Sequence, residues 1–158
     1  MASDESQAIL ALVQRHLTPF IRTDFSDDQL WRRIEKAAAA PVKFGVMDGD
    51  PEPDDGYIPG IHPVDNPVFL DVTAHQLLRH LGGPLQHADA RAILVDSRTV
   101  QEASQSFPSA SVEYVDLTTT SPSTFRCLIS SIATVDVNLA IGNLYFDEFT
   151  SGDAVYGA

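Results

Sequence analysis

The chain has 158 residues, 44% hydrophobic and 20% charged, enough for a single domain with one packed core. Ten Lys and Arg against 22 Asp and Glu give a net charge of -12, which argues against nucleic acid and anionic membrane as partners; a small-molecule substrate or a basic protein remains. No segment is long and apolar enough to span a membrane, and Met1 to Glu5 lacks the basic and apolar regions of a secretory signal, so a cytoplasmic location is expected.

Asp4 to Leu17 carries Ile9, Leu12, Val13, His16 and Leu17 on one helical stripe, with Ser3 as cap and Pro19 as stop. Phe20 to Thr23 reads as a short strand. Ser26 is placed to cap the next helix, whose inner face is Leu30, Trp31, Ile34, Ala37 and Ala38 and which runs to about Ala40. After Pro41, Val42, Phe44 and Val46 alternate as a strand. Asp48 to Asp55 holds five carboxylates among two prolines and a glycine and should be an exposed, mobile loop. Gly56 to Pro67 predicts an irregular excursion or a short edge strand.

Thr73 and Gln76 form a capping box for a helix to Leu81, with Val72 and Leu77 as its hydrophobic staple and Gly82-Gly83-Pro84 as its exit. Ala92 to Val95 is a continuous apolar run, suited to a strand buried on both faces. Thr99 and Glu102 make a weaker capping box for a helix ending before Pro108, and Val112 to Leu117 returns as a strand. Phe125, Cys127 and Ile129 alternate as one strand, Val135, Val137, Leu139 and Ile141 as another, and Asn143 is placed to cap a last short helix. Cys127 is the one cysteine and fits a buried small hydrophobe better than a nucleophile. The order predicts an α/β sandwich around a mixed, largely parallel sheet with an antiparallel C-terminal pair. Residues 1–19 form an N-terminal helical extension and 20–158 the single α/β domain.

Two stretches carry a resemblance: Phe20-Ile21-Arg22-Thr23-Asp24-Phe25-Ser26-Asp27-Asp28 followed by Trp31, and Asn138-Leu139-Ala140-Ile141-Gly142-Asn143-Leu144-Tyr145-Phe146-Asp147-Glu148-Phe149. Together they resemble a microbial family of domains of unknown function, over about Phe20 to Gly157. The resemblance implies a fold and no chemistry. It also implies an aspartate where this chain has Tyr145, so a phenol replaces any carboxylate role there.

Asp24, Asp96 and Asp116 fall at or just past the ends of proposed strands, where open α/β sheets bind ligands. Carboxylates converging there would raise one another's pKa or share a cation; alternatively, each aspartate serves only its own turn. His62 lies near Asp65 and Asn66, a pairing suited to general acid-base work. Asp24, His62, Asp96 and Tyr145 are the candidate catalytic groups, and Arg22, Trp31 and Asn138 the candidate substrate-binding groups. No metal or organic cofactor is expected. His75 and His80 are five apart, the Asp50 to Ile61 stretch lacks the glycine and glutamate of a calcium loop, and no phosphate loop, dinucleotide turn or nucleophile elbow is present. Two functions fit: a cofactor-independent small-molecule enzyme of isomerase, cyclase or dehydratase type, or accessory biosynthetic protein, and a non-catalytic acidic interaction module of immunity-like or regulatory kind. A homodimer is compatible with either.

Overall fold

The computed structural model describes residues 3–44, 56–150 and 154–158. Five strands form one sheet: β1 (Thr18–Arg22), β2 (Ile61–Val64), β3 (Arg91–Val95), β4 (Ser111–Asp116) and β5 (Thr124–Leu128), in the order β2-β1-β3-β4-β5. β1 runs parallel to both β2 and β3, whereas β3-β4 and β4-β5 are antiparallel. The sheet is thus mixed, as expected, and Ala92 to Val95 sits in its central strand with each of those residues no more than 1% exposed.

Helices cover both faces. On one, α2 (Asp28–Ala38), α4 (Ser97–Gln105) and α5 (Ile132–Ala140) pack Trp31, Ile34, Ala103, Ile132 and Val135 against Phe20, Ile93, Val112, Tyr114 and Phe125. On the other, α1 (Asp4–Gln14) and α3 (Ala74–His80) pack Ile9, Val13, Leu77 and Leu78 against Ile21, Ala92, Leu94 and Val115. Alternate residues of β1 and β3 therefore feed two different cores, as the period of a strand requires.

The capping box of α3 is present: Thr73 Oγ1 accepts the Gln76 N–H at 3.3 Å and Gln76 Oε1 accepts the Thr73 N–H at 2.9 Å. Ser3 caps α1 as its sequence indicates. Cys127 is buried and free, and burial pushes its thiol up to about 12.

Several local expectations are corrected. α2 is capped by Asp27, whose Oδ1 accepts the Leu30 N–H at 2.9 Å, because Ser26 is turned toward Asp24. α4 is capped by Asp96 rather than Thr99, and Glu102 bonds Arg98 and Ser111 instead of closing a box. Residues 135–141 are not a strand: α5 buries Ile132, Val135, Asp136 and Leu139, a helical spacing that a short apolar run also satisfies at period two. The antiparallel ladder at the C-terminal end of the sheet is β4-β5 instead. Val42 makes only an isolated bridge with Tyr57, and Phe44 lies outside any strand. Asn143 caps nothing; the last short turn, Phe146–Phe149, begins after Tyr145. Val46 and the acidic loop Asp48 to Asp55 lie outside the described residues.

Candidate functional site

The crossover from β1 to β2 carries α2 on one face, and the return from β2 to β3 carries α3 on the other. The first crossover places β2 on one side of β1 and the second returns to place β3 on the other, making the gap between the carboxyl ends of β1 and β3 the point where the strand order reverses. The helices that follow β1 and β3, α2 and α4, lie on the same face, and the carboxyl ends of the strands are the usual ligand edge of an open α/β sheet. A cleft of about 490 Å³ lies there, its lining including Thr23, Thr73, His75, Asp96, Glu113 and Thr124.

Backbone bonds fix its floor. Thr23, buried just past β1, donates its N–H to the Val95 carbonyl at 3.0 Å and its hydroxyl to the same oxygen at 3.2 Å. Its own carbonyl accepts the Asp71 N–H at 2.9 Å, tying in the turn that leads to α3.

Asp96 follows β3 and starts α4. Its Oδ1 accepts the Thr99 N–H at 2.9 Å and the Thr99 hydroxyl at 3.0 Å, and Arg126 grips it through Nη1 to Oδ2 at 2.8 Å and Nη2 to Oδ1 at 3.1 Å. Arg126 is itself held by the Ser111 carbonyl at 2.8 Å and the Ser111 hydroxyl at 2.9 Å. Burial alone would raise the Asp96 pKa; the hydrogen bonds from Arg126 and Thr99 and the guanidinium charge outweigh it, so the carboxyl lies below its usual value.

Glu113 projects from β4, opposite Leu94 of β3 on one side and Arg126 of β5 on the other. It is partly buried. Burial and then the negative charge of Asp96 raise its pKa, while Arg126 and Thr124 pull the other way without cancelling the rise. Two carboxyl groups on one cleft are therefore pushed apart: Asp96 stays ionised, and Glu113 keeps its proton to higher pH. A pair separated in this way has the makings of an acid-base assignment.

Of the candidates named from sequence, Asp96 lines this cleft. Asp24 does not: its Oδ1 accepts the Ser26 N–H at 2.8 Å and the Ser26 hydroxyl at 2.5 Å, within its own turn. Asp116 is carried to the opposite edge because β4 is antiparallel to β3, pairing it with Arg91 at the start of that strand. His62 is exposed on the edge strand β2. Tyr145 is 65% exposed beyond α5, its N–H bonded to Glu148. Asn138 donates to the Thr134 carbonyl at 2.8 Å and accepts from Asn143 at 2.7 Å.

Arg22 and Trp31 share a separate pocket with Asp28 and Asp65. There the buried guanidinium bonds Asp28 at 2.7 Å and the Asp24 carbonyl at 3.1 Å, beside the Phe25 and Trp31 rings. Those contacts, with an Arg22 Nη1 bond to Asp65 Oδ1 at 3.4 Å, join β1, α2 and the segment after β2.

Glu113 and Arg126 were not singled out from sequence. Their signal is a charged residue in the middle of an apolar strand, Val112-Glu113-Tyr114 and Phe125-Arg126-Cys127, and it becomes readable only when the β4-β5 register sets them side by side. Among the described residues, no group of three or more His, Cys, Asp or Glu side chains is placed to hold a metal ion, and no helix is long and apolar enough to cross a membrane.

Comparison with curated proteins and with solved structures found no match. Residues 17–157 match the family model described as Domain of unknown function (DUF6924), and the chain belongs to that family.

Proposed function

We propose that this protein is a cofactor-independent enzyme acting on a small molecule by side-chain acid-base chemistry, with its site in the cleft between β1 and β3. The observation that carries this reading is the pair Asp96 and Glu113, which open on one switch-point cleft with their pKa values moved in opposite directions. Glu113 is the proton carrier, because burial and the Asp96 charge raise its pKa above the ordinary carboxyl value, which favours a group that donates and then takes back a proton. Asp96 is a positioning residue: its oxygens are taken by Arg126 and Thr99, and its fixed charge is part of what raises Glu113. Thr124 and His75, which line the cleft beside this pair, would orient polar groups of a substrate over the floor that Thr23 fixes, and the reaction class is isomerisation, cyclisation or dehydration.

The competing reading is a non-catalytic interaction module. Val68 and Leu70, 45% and 55% exposed beside α3, together with the -12 charge, favour it. Screening a panel of neutral and charged metabolites for chemical conversion by NMR nominates a substrate; Glu113→Gln should then lower turnover by about 10²-fold or more while binding persists. If no panel member is converted and Glu113 titrates like an ordinary carboxyl, the interaction module becomes the better account.

A further inference from the structure

We propose a second binding site, at the opposite edge of the sheet, for a small organic carboxylate. A pocket of about 350 Å³ lies where β1 and β3 begin, since Thr18 and Arg91, the first residues of the two strands, both line it. One strand length separates it from the switch-point cleft, about 15 Å at the rise of an extended chain.

The pocket has an apolar wall and a cationic floor. Val13, Leu17 and Leu139 form the wall, and His16 and His87 stand edge to face with ring centroids 5.0 Å apart. Arg91 is the cation, its side chain only 12% exposed. Its Nη1 donates to the Asp89 carbonyl at 3.2 Å, its Nη2 stays 3.6 Å from Asp136 Oδ1, and its Nε is buried with no hydrogen-bond partner among the described residues. A guanidinium carries five donors in a fork shaped for a carboxylate, and donors buried unused are rare because each loses its water for nothing.

Asp136 does not fill that fork. Its Oδ2 accepts the Tyr57 hydroxyl at 2.5 Å and the Gly60 N–H at 2.9 Å, and it does not line the pocket, whereas Arg91 does. Among the described residues of the lining Asp89 is the one acidic side chain, and it is exposed, where solvent screens its charge. A carboxylate on Arg91 with an apolar or aromatic body against the wall uses both halves of the pocket. Inorganic phosphate would leave the wall bare.

Benzoate is the probe, benzamide its uncharged counterpart, and inorganic phosphate the check for a general anion site. In an NMR titration the His16 and His87 ring signals should shift saturably with benzoate and not with the other two. Arg91→Gln alone would strand the buried Asp136, so the Arg91→Gln/Asp136→Asn pair is used, and it should weaken benzoate binding by at least about tenfold, the loss of a charge-assisted contact. Ala140→Trp crowds the pocket from an exposed helix end without touching the ion pair, and should weaken binding similarly. Equal shifts with benzamide or phosphate, no saturable shift with benzoate, or unchanged affinity in the folded variants would overturn the proposal.

Discussion

At the scale of single residues, the opposed carboxyl groups give opposite pH dependences. Asp96 is lowered in the folded chain from an ordinary value of 3.8, so its stabilising contribution is present above that value and is lost as pH falls through the folded value. Glu113 is raised from 4.5, so its ionisation opposes folding, and that penalty develops as pH rises from 4.5 through its folded value. Glu113→Gln should therefore be more stable than the parent at pH 7, with the difference closing below pH 4.5; urea denaturation at the two pH values measures it. A gain in stability on losing a proposed proton carrier is the usual signature of a site that trades stability for chemistry. Arg126→Met should act the other way, costing about 3 kcal/mol at pH 7, because it leaves the part-buried Asp96 without its counter-charge. A loss well under 1 kcal/mol would mean that solvent already screens the pair.

Elements are decided by caps and by what lies above them. Asp27 and Ser26 both have the chemistry of an N-cap, but only Asp27 bonds the first turn of α2, so Asp27→Ala should cost about 1 kcal/mol of stability and Ser26→Ala less. Equal losses in thermal unfolding would show that the Asp24-Ser26 turn supports the helix as much as the cap does. The α3 box was legible because both halves lie three residues apart in the chain. The Thr99-Glu102 spacing looks identical, yet Glu102 is drawn across to the Ser111 N–H at 2.9 Å and its hydroxyl at 2.8 Å. Its partner is nine residues away at the start of β4, and no local rule sees it. α5 departs from the sequence expectation for a related reason: alternating Val135, Val137, Leu139 and Ile141 suit a strand, but Ile132, Val135 and Leu139 form a stripe that closes the core over β4 and β5.

On the scale of the whole molecule, the N-terminal helix is part of the core rather than an appendage. Ile9 is 0% and Val13 4% exposed, packed with Ile21, Leu77 and Leu94. Ile9→Ala should cost about 2–4 kcal/mol in chemical denaturation, the range for emptying a buried aliphatic site. A loss below about 1 kcal/mol would mean that α1 docks loosely and leaves the sheet stable without it. By itself the sequence determined the α/β class, the central apolar strand, the α1 and α3 caps and the buried cysteine, all of which rest on periodicity and on partners within four residues. It also put Asp96 just past a strand, because a carboxylate at that position is a local pattern. Only the tertiary structure decided that Asp24 turns away, that Asp116 sits at the far edge, and that Glu113 and Arg126 flank Asp96. The physical reason is that strand order and direction carry no local signature: reversing β4 relative to β3 exchanges the two ends of the strand, and with them every side chain a cleft can gather.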